Sequence, residues 1–160
     1  MDRNRIMYIY SRPSFSQDMF AQPDDDYSKR IYENILTSCD KYLQQEPHGS
    51  IPNIPDTQLP YHNVYLAFYT GMQAACIMPH MALAYRLSGQ YKYLSAALKW
   101  LEAVFLWETD LFSFYMAARM MHALICVADW LRFELSDDQL NKLTGLLQGM
   151  CIAREDEAMA

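Results

Sequence analysis

Apolar positions recur along this chain with helical spacing, and two kinds of segment alternate. Tyr27 to Gln45 places Ile31, Ile35, Leu36, Cys39, Tyr42 and Leu43 at i, i+4, i+5, i+8, i+11 and i+12. That is one face of a 3.6-residue period, so the spacing predicts a helix with a single buried stripe. Asp24, Asp25 and Asp26 precede it and complement the positive end of its dipole. Pro47 and Gly49 end it. Pro47, Pro52, Pro55 and Pro60 then exclude regular structure up to Pro60. Val64 to Leu87 carries one formal charge, Arg86, and its apolar side chains surround the axis. Such a helix is expected to be buried on all sides, with Pro79 kinking or splitting it near Cys76 and Gly89 capping its end.

The next segments repeat the alternation. Tyr91 to Trp107 has a stripe of Leu94, Leu98, Leu101 and Phe105, and Lys92, Lys99 and Glu102 lie elsewhere. Phe112 to Phe133 is again apolar almost all round. Ser136 to Arg154 is amphipathic, with Leu140, Leu143, Leu147, Met150 and Cys151 on one side, and Ser136 with Gln139 is a capping-box pair. The repeat is about 45 residues, the scale of a helical hairpin. No stretch alternates as a strand does. The expectation is an all-α chain of antiparallel helical hairpins, with residues 1–26 irregular and 27–160 forming a single domain.

Composition narrows the function. Of 160 residues, 52% are hydrophobic, 13 are Lys or Arg and 19 are Asp or Glu, a formal charge of −6. A chain this apolar can offset its ordering entropy, and its charge opposes binding to nucleic acid. Thr70, Gly71, Gln73, Pro79 and His80 interrupt one apolar segment and Arg119 and Asp129 the other, so no membrane span is expected. Cys39, Cys76, Cys126 and Cys151 have no metal-like spacing and are expected to be reduced and buried. Four scattered histidines give no metal motif, and no phosphate-cradling or nucleophile-elbow motif is present, so neither metal nor cofactor is implied. Met1 to Met19 contains no apolar signal-peptide core. A cytoplasmic location is the default, or a periplasmic or secreted one if the chain is part of a longer precursor.

Buried helices alternating with half-wet ones are what an α/α toroid needs for its inner and outer rings. His80–Leu94 (HMALAYRLSGQYKYL), followed by Ala96, Ala97, Trp100 and Leu101, resembles the AYxLTGDxKYxxxAxxWL stretch of toroid-type polysaccharide lyases. Ala118–Leu131 (ARMMHALICVADWL) is similar to their next inner helix, and the helix from Ser136 to the outer one after it. Arg12, Pro13 and Phe15 echo the N-terminal HPRLxF. The chain therefore resembles, over roughly Arg12 to Arg154, the N-terminal toroid of heparinase II/III-like and oligoalginate-lyase-like proteins. The resemblance implies β-elimination on uronic-acid polysaccharides. In that chemistry an Asn, His or Arg neutralises the sugar carboxylate, a Tyr or His takes the adjacent proton, and a Tyr protonates the leaving oxygen. The family's Asn or His and its toroid Tyr follow the helix matching Ser136–Arg154. The expectation is thus an N-terminal portion, inactive alone, that self-associates or needs further C-terminal domains.

Two side-chain sets are candidates for binding an acidic oligosaccharide. Tyr115, Arg119 and His122, at i, i+4 and i+7, share a helix face on which arginine can meet a carboxylate and tyrosine a sugar ring. The competing expectation is that Arg119 neutralises a core carboxylate such as Asp129. His62, Tyr65 and Tyr69 share a face at the start of the preceding buried segment. His80 is expected in the core, as are Trp100, Trp107 and Trp130. The alternatives to the lyase reading are a non-catalytic carbohydrate-binding or protein-interaction module, and a toroid glycoside hydrolase, which would need an acidic partner for Asp129.

Overall fold

The computed structural model describes residues 24–51, 62–109 and 112–159, with the side chains of 62 and 153–159 excepted. The described residues form five helices and no strand: α1 (Asp26–Tyr42), α2 (His62–Ser88), α3 (Tyr91–Val104), α4 (Phe114–Trp130) and α5 (Asp137–Met159). The all-α expectation is met. The echo at Arg12, Pro13 and Phe15 lies outside the described residues, as do Pro52, Pro55 and Pro60.

α2 is the hub, packing on α1, α3 and α4, and α5 packs on α4. α2 packs closely on the Phe112–Met116 stretch at Gly71, where a Cβ would stand 2.9 Å from Met116 Sδ and 3.1 Å from Phe112 Cε1, so any side chain there forces these neighbours to shift. Met78, Met81, Tyr93, Trp100, Leu101, Met116, Met120 and Leu124 fill the space between α2, α3 and α4. At the end of α2, Gly89 takes φ 67° and donates its N–H to Tyr85 O at 2.7 Å, the left-handed stop the sequence predicts.

Helix starts also follow sequence logic. Asp25 accepts from Ser28 N at 2.9 Å, and the Ser28 hydroxyl, then this backbone bond, hold its carboxyl below the usual carboxylate range. Ser113 caps α4 by accepting from Met116 N. Ser136 Oγ accepts from Gln139 N at 3.2 Å while Gln139 Oε1 accepts from Ser136 N at 3.0 Å, a closed capping box.

α1 is fastened by polar contacts as much as by its stripe. Asp40 Oδ1 accepts from Lys92 Nζ at 2.6 Å and from Tyr93 Oη at 2.8 Å. The Lys92 ammonium, and then the Tyr93 hydroxyl, hold the Asp40 carboxyl below its ordinary range. Trp107 Nε1 donates to His48 O at 2.9 Å and so ties the segment after α1 to the end of α3.

Several expectations are corrected. Of the two outcomes expected at Pro79, a split is not found: α2 is one helix from His62 to Ser88 with Pro79 inside it. The Nδ1 of His80 lies 2.5 Å from Cys76 O and bonds the backbone beside the break in the N–H ladder. His80 is exposed, not core. α2 is not buried all round: Val64, Tyr65, Tyr69, Cys76 and His80 share an open side. All four cysteines are free, but only Cys39 and Cys126 are buried; Cys76 and Cys151 are exposed. Ile31 and Tyr42 face solvent, because α1 is held mainly through Cys39, Ile35 and Leu36. Trp100 and Trp107 are core as expected, and Trp130 is half-buried. α5 continues past Arg154 to Met159. No helix among the described residues is long and apolar enough to cross a membrane.

Candidate functional site

The α2–α4 contact brings most of the two sequence-predicted sets onto one surface. Phe68, half-buried between them, stacks on Tyr115 with ring centroids 6.1 Å apart at 24°. Tyr69 meets Phe68 edge-on at 5.6 Å and 80°. Tyr69 is 68% exposed, Tyr65, one turn earlier, 60%, and Tyr115 51%. Three tyrosines at a helix–helix seam thus present their rings to solvent, although such rings usually supply core area.

Arg119 is placed by Tyr115. Its Nε and Nη2 donate to Tyr115 Oη at 3.0 and 2.7 Å, and its guanidinium carbon lies 5.2 Å from the Tyr115 ring centroid. One hydroxyl therefore occupies the side fork of the guanidinium. The end fork, formed by Nη1 and the second N–H of Nη2, is directed away from that bond and has the geometry a carboxylate accepts bidentately. Arg119 is exposed, and no carboxylate of the described residues pairs with it. The competing expectation fails, because Asp129 is buried and sits 4.0 Å from Arg132 Nη1 instead.

The remaining predicted residues stand apart. His122 is exposed on α4, but its Nε2 lies 3.9 Å from Cys126 Sγ, so the ring turns along the helix away from Tyr115. His62 opens α2, and its side chain lies outside the described residues. The sequence reading missed Phe68, the ring that joins Tyr69 to Tyr115. The i+3 spacing of Phe68 from Tyr65 was the available signal.

Beside this face, a groove of about 560 Å³ runs between α1 and α2, lined among others by Tyr42, Gln45, Tyr69, Gln73, Cys76 and His80. A second depression, of about 480 Å³, lies over α3 and contains Lys92 and Lys99. Both ammonium groups there are already engaged, Lys92 by Asp40 and Lys99 by Glu46, so it presents no open cation to an anion. Burial pushes the Cys39 and Cys126 thiols up, which makes them poor nucleophiles. Among the described residues, no group of three or more His, Cys, Asp or Glu is placed to hold a metal ion.

No protein-family model matches this chain, and neither a curated protein nor a solved structure does.

Proposed function

We propose that the α2–α4 face binds an acidic oligosaccharide, with Arg119 taking a uronate carboxylate and Tyr115, Tyr65 and Tyr69 supplying sugar-stacking surface. One observation carries the reading: an exposed arginine is held in place by a tyrosine hydroxyl, with its end fork open and the Tyr115 ring, joined through Phe68 to Tyr69, beside it. An arginine pre-positioned in this way loses less freedom on binding than a mobile surface cation does. The net charge of −6 opposes long-range attraction of a polyanion, so the interaction is local and weakens with salt.

The same reading makes the chain a portion of a polysaccharide-lyase-like α/α toroid. Support comes from the sequence resemblance and from the neighbour relations: α2 packs on α4, α3 on α2 and α5 on α4, as inner and outer pairs of a toroid do. The open aromatic face also favours self-association or cover by further toroid hairpins.

Isothermal titration with trigalacturonate at low salt tests the binding. Arg119→Ala is expected to weaken affinity by about 1–2 kcal/mol, roughly five- to thirtyfold, the range for a charged hydrogen bond partly open to solvent. Helix content should not change. Equal affinity in Arg119→Ala and wild type sinks the proposal.

A further inference from the structure

The aromatic face and the α1–α2 groove are continuous, because Tyr69 belongs to both. Its ring meets Phe68 edge-on, and it forms one wall of the groove. Met72, Cys76 and Ile77 add apolar lining from α2, beside the polar Gln73 and His80. The volume, about 560 Å³, suits a small ligand or one unit of a larger one.

Two amides set the polarity of this groove. Gln73 Nε2 donates to Gln45 Oε1 at 2.9 Å and bridges α2 to the segment after α1. That bond consumes one hydrogen of Gln73 and one lone pair of Gln45. Gln73 Oε1 and Gln45 Nε2 remain as a neighbouring acceptor and donor, each half-buried and fixed by the bond between them. No Asp, Glu, Lys or Arg is among the described residues lining the groove. His80 is the one imidazole of the lining, and its Nδ1 is turned to Cys76 O, so an anionic sugar entering the groove would lose hydration with no permanent cation in return. An uncharged pyranose fits all of these features. Its apolar ring face lies against tyrosine, and two adjacent hydroxyls, each both donor and acceptor, match the acceptor–donor pair.

We infer that the α1–α2 groove is a subsite for an uncharged pyranose unit, connected to the carboxylate site at Arg119 through Tyr69, Phe68 and Tyr115. The inference rests on the proposed acidic-sugar reading only for the neighbouring unit. The preferred ligand then joins an acidic to a neutral sugar, and a run of acidic sugars alone leaves the groove empty.

The exposed Cys76 thiol in the groove is a built-in reporter, and the exposed Cys151 thiol on α5 is its internal control. The wild-type chain is alkylated with N-ethylmaleimide, and each cysteine is followed by peptide mass spectrometry. The probes are cellobiouronic acid, cellobiose and trigalacturonate. Cellobiouronic acid is expected to slow labelling of Cys76 severalfold with Cys151 unchanged, and cellobiose to do the same at higher concentration. Gln73→Leu should weaken the cellobiose effect by about fivefold, the ratio one neutral hydrogen bond carries. If trigalacturonate binds in an Arg119-dependent way and no probe protects Cys76, the groove inference falls and the acidic-sugar reading stands. If cellobiose protects Cys76 but no acidic probe depends on Arg119, the groove subsite stands and the acidic-sugar reading falls. If neither effect is seen, both are overturned.

Discussion

Replacing Gly71 by alanine sets two terms of opposite sign against each other at the seam that builds the site. The new Cβ would lie 2.9 Å from Met116 Sδ, 3.0 Å from Met116 Cγ and 3.1 Å from Phe112 Cε1. Comfortable contact is about 3.5–4.0 Å, so both side chains must retreat by roughly half an ångström or more. Met116 is fully buried and Phe112 nearly so, so their retreat presses on other core side chains. Overpacking of this kind costs about 1–3 kcal/mol. Alanine returns about 1 kcal/mol of helix propensity relative to glycine. The expected net is a loss of about 1 kcal/mol, or about 3 °C in Tm at this chain length. Urea unfolding followed by far-ultraviolet circular dichroism measures it. A second arm fixes the cause: Met116→Ala removes both Sδ and Cγ and alone costs about 2–5 kcal/mol. In that background the same Gly71→Ala change should become stabilising. A Gly71→Ala chain more stable than wild type, or the same penalty in both backgrounds, would refute the close approach of α2 and α4.

Three further outcomes follow from the polar fastenings. Tyr93→Phe deletes the buried hydroxyl that donates to Asp40 and should lower unfolding free energy by about 1–2 kcal/mol in a urea titration, with helix content unchanged. The Asp40 carboxyl is held below its ordinary range in the folded chain, so its contribution is fully present above the unfolded carboxylate pKa and is lost as pH falls through the folded one. The urea midpoint should therefore drop below about pH 4, and Asp40→Asn should flatten that acid limb; an unchanged limb contradicts the assignment. Ser136→Ala opens the capping box of α5 and should cost about 1 kcal/mol, measured by thermal unfolding.

Element type and several ends were legible because they depend on neighbours in sequence. The period of α1, the glycine stop at Gly89 and the Ser136–Gln139 box are local devices, and each appears where the spacing puts it. The i,i+4 pairing of Tyr115 with Arg119 was legible for the same reason. What failed depends on distant packing. An apolar sequence on every side of α2 does not say which side a neighbour covers, so the exposure of Cys76 and His80 was hidden. Pro79 signals a kink or a break through its own backbone, yet the helix is continuous across it. Gln73 read as a polar interruption of an apolar run; its partner Gln45 lies 28 residues away, beyond any local pattern. Arg119 and Asp129 share α4, but Asp129 is held next to Arg132.

The central claim is that the Arg119 guanidinium is an open carboxylate receptor, and its own nuclear magnetic resonance signal tests this most directly. The Nε–H of Arg119, assigned by its loss in Arg119→Lys, is followed while trigalacturonate is titrated in low salt and again in high salt. The account predicts a saturable shift of that resonance, weaker in high salt, accompanied by shifts of the Tyr115 ring protons and absent with neutral maltotriose. An Arg119 signal that stays fixed while trigalacturonate perturbs other residues, or one that responds equally to maltotriose, contradicts it.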